Sequence, residues 1–142
     1  MKSLTLPDMP DMRTSLMRPL LFLSLIAIAG CSTDSAEQRL RQYFALPAGG
    51  SSDTLALSTA ILEQLQRGTP EEQIAATLKS RGVGGDSLSR YYPPTNSDTG
   101  IVRVEHDSRG ANIVMKSYGV RLVFDSNRKL SDVRVSEWLT GP

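Results

Sequence analysis

The chain has 142 residues, the length of one domain, with 39% hydrophobic residues and 16 basic against 15 acidic side chains. So even a charge balance leaves no overall electrostatic footprint for nucleic acid or for a strongly acidic partner. The single cysteine leaves three uses open, pairing with another chain, a reactive thiol or a thiol consumed by modification, and the single histidine is the one imidazole any mechanism could use.

Residues 20–29, Leu-Leu-Phe-Leu-Ser-Leu-Ile-Ala-Ile-Ala, form an apolar stretch behind a basic flank containing Arg13 and Arg18. A membrane-spanning helix needs ~20 apolar residues, so this shorter stretch reads as the core of an export signal and not as a permanent anchor. It ends on Ile28-Ala29-Gly30-Cys31, which resembles the lipobox of bacterial lipoproteins: an aliphatic residue, two small residues, then cysteine. In that family the cysteine thiol accepts a diacylglyceryl group, and the small residues admit extended backbone to signal peptidase II. The resemblance implies cleavage between Gly30 and Cys31, acylation of the new amine, and no cofactor besides the lipid on Cys31. The alternative, a buried structural cysteine after an apolar helix, would need a much longer core helix.

Two or more acyl chains, at ~0.8 kcal/mol per buried methylene, hold a protein stably at a membrane it does not span. Ser32 and not aspartate follows the cysteine, which by the family's sorting rule implies the outer membrane, facing the periplasm. Pro7, Asp8, Pro10 and Asp11 stand where such signals are basic, so translation is expected to start at Met12, with Met17 a further choice. Removing residues 1–30 takes away three basic and two acidic side chains and leaves 13 of each sign. The expected organisation is a signal over 1–30, a lipidated tether over 31–35 and a single α+β domain over 36–142.

Within that domain, Ser35-Ala36-Glu37-Gln38 fits a capping box that opens a short helix carrying Leu40, Tyr43 and Phe44, and Pro47 stops it. Asp53 or Ser52 caps a second helix that presents Leu57, Ile61, Leu62 and Leu65 on one side and closes at Gly68. Thr69-Pro70-Glu71-Glu72 opens a third helix, with Thr69 as cap and Pro70 at its first position, which buries Ile74 and Leu78 and ends at Gly82. Residues 82–100, rich in Gly, Ser, Pro and Asn, form a long connection around Arg90-Tyr91-Tyr92-Pro93-Pro94. The period then becomes two at 101–105, 112–116, 120–124 and 133–138, with turns at 107–110 and 125–128 and Gly119 as a bulge in a long middle strand. A helical pair with a short leading helix, packed on a three-stranded antiparallel meander, follows.

Gly68-Thr69-Pro70-Glu71-Glu72-Gln73-Ile74 and Val120-Arg121-Leu122-Val123-Phe124-Asp125-Ser126, with Leu130 and Val133, resemble the BamE group of small outer-membrane lipoproteins, also called SmpA/OmlA. That group packs a helical pair on a three-stranded sheet, and the resemblance implies an accessory role in an envelope complex. The 82–100 connection is longer than the group's pattern, and Gly-Thr-Pro precedes the third helix here instead of following it.

The chemistry-bearing residues are few. His106, between Glu105 and Asp107 at a hairpin end, reads as a solvated turn residue, the alternative being a ligand or base. Asp125-Ser126-Asn127 lacks the later ligands of a calcium loop, and Gly82 to Gly85 lacks the Lys and Ser/Thr of a phosphate loop. Arg121 and Arg134 are expected side by side across the second hairpin, on the face away from Leu122 and Val133, able to grip an acidic partner or headgroup or simply solvated. Arg103 is expected too far along the register to join them. Tyr91 and Tyr92 either present two rings to a partner or cover the core, and Trp138 is either a core lid or a binding anchor. These residues favour a non-enzymatic interaction module with a protein partner in the periplasm or outer membrane. The alternatives are an inhibitor or immunity lipoprotein and, third, a hydrolase of envelope polymers.

Overall fold

The computed structural model describes residues 35–107 and 114–140. Gly30, Cys31, Ser32 and the stretch expected to be an export signal, as well as residues 108–113, lie outside the described residues. The elements are α1 (Ala36–Tyr43), α2 (Thr54–Leu65), α3 (Glu71–Ser80), β1 (Ser89–Tyr92), β2 (Thr99–Val104), β3 (Met115–Phe124) and β4 (Leu130–Thr140). The fold is α+β, helices first, with an antiparallel sheet in the order β1-β2-β3-β4.

The caps explain where the helices begin. Ser35 Oγ accepts from the Gln38 amide while Gln38 Oε1 accepts from the Ser35 amide, the reciprocal box that the sequence predicts. Asp53 accepts from the amides of Leu55 and Ala56 at the start of α2. The end of α3 is a left-handed turn: Gly82, at φ +96°, lets the Val83 amide donate back to the Leu78 carbonyl and the Gly82 amide to Lys79.

Two helix-end readings need correcting. α2 stops at Gln66, which takes φ +63° itself, two residues before Gly68. Thr69 does not cap α3. Its hydroxyl donates to the Leu65 carbonyl at 2.6 Å, and Pro70 stands at the cap position without a side-chain bond. The reason is that the α2–α3 linker is held by the sheet: the Gly68 amide donates to Leu130, the Leu130 amide to Thr69, and the Glu71 amide to Arg128. Arg128 also pairs with Glu71 at 3.0 Å. The backbone bonds fix where α3 starts, so a hydroxyl cap is not needed.

The sheet has four strands and not three. Residues 89–92, expected to be loop, pair with β2 in the register Arg90↔Arg103, Tyr91↔Val102 and Tyr92↔Ile101. The alternation is only four residues long, with Ser89 buried and Arg90 exposed, and the surrounding Gly, Ser and Pro mask it. Gly119 sits in regular pairing with Arg103 and Ser136, so it is no bulge; the irregularity lies at Val123/Phe124. The 125–128 turn forms as expected, with Asp125 Oδ1 accepting from the amides of Asn127 and Lys129.

One face of the sheet meets the helices. Val102, Val104, Tyr118, Val120, Leu122, Phe124, Leu130 and Val133 bury themselves against Leu40, Phe44, Leu57, Ile61, Ile74 and Leu78. Each fully buried Leu, Ile or Phe contributes ~1.5–3 kcal/mol, which orients the sheet because a one-residue slip would turn this set outward. Among the described residues no helix covers the other face.

Candidate functional site

The uncovered face carries the residues that alternate with the core set. Register places Tyr92, Ile101, Arg121 and Arg134 in one row across the four strands, and Arg90, Arg103, Gly119 and Ser136 in the next. Trp138 follows beside them, opposite Ser117.

Trp138 leans back over Gly119. A Cβ built at Gly119 would meet Trp138 Cζ3 at 3.0 Å and Ser136 Oγ at 3.2 Å, so the missing side chain is what lets the indole lie on the strand. Ser117, Trp138's cross-strand neighbour, is fully buried although it belongs to the outer face. The Arg103 guanidinium sits over the indole, 5.4 Å from the ring centroid, and Arg90 lies 5.9 Å from the centroid of Tyr92. Together these side chains shape an open cleft of about 410 Å³, with Gly119 and Ser136 at its floor and Tyr92, Ile101, Arg103, Arg121 and Trp138 around it.

The electrostatics of this face are one-sided. Arg90 faces Arg103 and Arg121 faces Arg134, two like-charge pairs in direct register, an arrangement that destabilises a sheet. Arg134 is paired with Asp132 at 3.1 Å. Among the described residues Arg90, Arg103 and Arg121 are in no ion pair. Glu105, just beyond β2, shares a smaller cavity of about 140 Å³ with Arg90 and Arg103. The even overall charge balance therefore hides a local excess of cations.

The structure thus brings Tyr92, Arg121, Arg134 and Trp138 onto one surface and removes Tyr91 from it. Tyr91 points to the helix side, packs against the core and fits because Gly100 has no side chain: a Cβ there would meet its hydroxyl at 3.0 Å. Burial first, then the negative charge of Glu71, pushes the Tyr91 phenol up to about 12. Arg103, expected to be out of register, lines the cleft with Arg121, its diagonal neighbour across β2 and β3. Trp138 is a lid, but over the outer face and not over the core.

His106 is half-buried and not a freely solvated turn residue. It shares a cavity of about 240 Å³ with Ser35, Glu37, Lys116 and Tyr118 on the helix side, and its Nε2 is buried without a hydrogen-bond partner. No cluster of three or more His, Cys, Asp or Glu side chains suited to a metal ion occurs among the described residues. Sequence reasoning also missed Arg41, which is 6% exposed. Its guanidinium donates to Glu37 Oε1 and to the carbonyls of Pro47, Gly50 and Ser51, tying α1 to the loop before α2. The spacing of Glu37 and Arg41, four apart on a helix, was the visible signal.

Among the described residues no helix is long and apolar enough to cross a membrane. Comparison with protein-family models, with curated proteins and with solved structures finds no match to this chain.

Proposed function

We propose that the protein is a lipid-anchored, non-enzymatic accessory module of a bacterial envelope complex, docking a protein partner through the outer face of its sheet. In this reading a lipid on Cys31 holds the domain at the periplasmic side of the outer membrane, as the Ile28-Ala29-Gly30-Cys31 motif implies. The observation that carries the docking role is the pair of register-opposed arginine couples beside an aromatic-walled cleft. A sheet face selected only for solubility gains nothing from Arg121 opposite Arg134 and Arg90 opposite Arg103. A partner that neutralises them recovers the cost, and interfaces favour Trp, Tyr and Arg.

Helices ahead of an antiparallel sheet suit the BamE-like order, from which β1 is a departure. Hydrolysis would need a nucleophile and a base brought together, whereas His106 lies on the side of the sheet away from the cleft, beside Lys116 and Tyr118.

The test is isolation of the full-length, lipidated protein from membranes, as wild type and as Arg121→Glu, Trp138→Ala and Cys31→Ala. A resident envelope protein is expected with the wild type and lost from both face variants, while Cys31→Ala incorporates no lipid and accumulates as precursor. Undiminished co-isolation with both face variants contradicts the docking role. Normal lipid labelling of Cys31→Ala contradicts the anchor.

A further inference from the structure

We infer that the occupant of the outer face is an extended acidic segment of a partner protein, seating an apolar side chain in the cleft against the Trp138 indole and a carboxylate between Arg121 and Arg134. This rests on the docking role proposed above and gives it a chemistry. The charge argument comes first: Arg90, Arg103 and Arg121 are in no ion pair among the described residues, Asp132 is taken by Arg134, and Glu105 shares a cavity with Arg90 and Arg103 without pairing to either. A carboxylate between Arg121 and Arg134 relieves that like-charge couple directly.

Spacing selects the form of the ligand. Gly119 and Arg121 lie two residues apart on β3, roughly 7 Å along the strand, which is the distance between same-side residues of an extended peptide. A segment laid along β3 with an apolar residue and, two positions away, Asp or Glu therefore places one side chain in the cleft and the other between the opposed guanidinium groups. On the other flank the Arg103 guanidinium, in the row of Gly119 and held over the Trp138 ring, borders the same cleft as a further cation.

The cleft decides between a peptide and a simple anion. A phosphate or a lipid headgroup would use the arginines and leave the cleft between Tyr92, Ile101 and Trp138 empty. An acidic segment with an apolar residue uses both.

The probe is a phage-displayed library of random peptides, selected on the full-length lipidated protein in nonionic detergent micelles. The expected result is enrichment of peptides with an aromatic or aliphatic residue two positions from Asp or Glu. Arg121→Glu should weaken a selected peptide about tenfold or more, the size of losing one close charge pair. Gly119→Val, which displaces the Trp138 indole that walls the cleft, should weaken it as well, while Arg67→Glu, exposed beyond the end of α2, should not. Should the Gly119 variant fail to fold, the comparison of Arg121→Glu with Arg67→Glu stands alone. Enriched peptides without carboxylates, no enrichment, or equal affinity for wild type and Arg121→Glu would overturn the inference. So would binding of inorganic phosphate or of vesicles containing anionic phospholipid where no peptide is selected. If no acidic peptide is selected yet the face variants lose the co-isolated envelope protein, the acidic-segment chemistry fails and the docking role stands. If the face variants keep that protein, the docking role itself fails.

Discussion

The indole of Trp138 rests on the bare backbone of Gly119, close enough that a methyl group at Gly119 would meet the ring at 3.0 Å. Gly119→Ala should therefore tilt the chain's single tryptophan outward, red-shifting its emission, and cost about 1–3 kcal/mol through overpacking. Fluorescence and a denaturant midpoint on the same sample check this. An unchanged spectrum and midpoint would mean that the ring does not lie where the geometry puts it.

Tyr91 and Tyr92 should behave oppositely, because strand alternation sends one to each face. Tyr91→Ala removes a ring packed on the core and should lower stability by up to ~3 kcal/mol. Tyr92, exposed at the rim of the cleft, should be replaceable by Ala at little cost to folding while weakening partner binding. Two single variants, each measured for midpoint and for partner affinity, separate the effects. Equal destabilisation by both would remove β1 from the sheet.

Acid should loosen the α1 region. Burial pushes Glu37 upward, but hydrogen bonds from Ser52 and Arg41 and the Arg41 charge outweigh it, holding its carboxyl below the ordinary value of 4.5. Asp86 is held low as well: burial raises it, and the Leu88 amide and Arg39 outweigh that. A carboxylate whose folded value is depressed contributes stability that is present above its unfolded value and lost as pH falls through the folded one. The unfolding midpoint should thus decline below about pH 4.5, the ordinary Glu37 value, and Glu37→Gln with Asp86→Asn should flatten that decline. A slope unchanged in the double variant would place the acid sensitivity elsewhere.

Thr69→Ala should cost about 1 kcal/mol by leaving the Leu65 carbonyl without its hydroxyl donor. Amide exchange tells this from loss of a cap. Faster exchange is expected in the last turn of α2, at Leu65 and Gln66, and not at Glu72 or Gln73. The reverse pattern would restore Thr69 as the cap of α3.

The elements legible in the sequence were those whose signals are local. Ser35 with Gln38, Asp53, Gly82 and the Asp125 turn each state their geometry within a few residues, and all four form as the sequence predicts. What escaped depended on contacts distant in sequence. Thr69 looks like a cap until Arg128 and Leu130 take over its neighbours' amides, and β1 looks like loop until β2 supplies a partner. The candidate site was half legible. The opposition of Arg121 and Arg134 follows from hairpin register alone, but the joining of Arg103 and Tyr92 to it needed the register of all four strands. Gly119 pairs regularly like its neighbours, and its reason for being glycine is visible only in where Trp138 comes to rest.

The most direct measurement of the docking claim is site-specific photo-crosslinking in intact cells, with a photoreactive side chain placed at Ile101 on the rim of the cleft or at Gln64 on the exposed side of α2. The outer-face role predicts a discrete adduct with one envelope protein from Ile101, lost when Arg121→Glu is added, and none of that adduct from Gln64. The same adduct from Gln64 with nothing from Ile101 would contradict it.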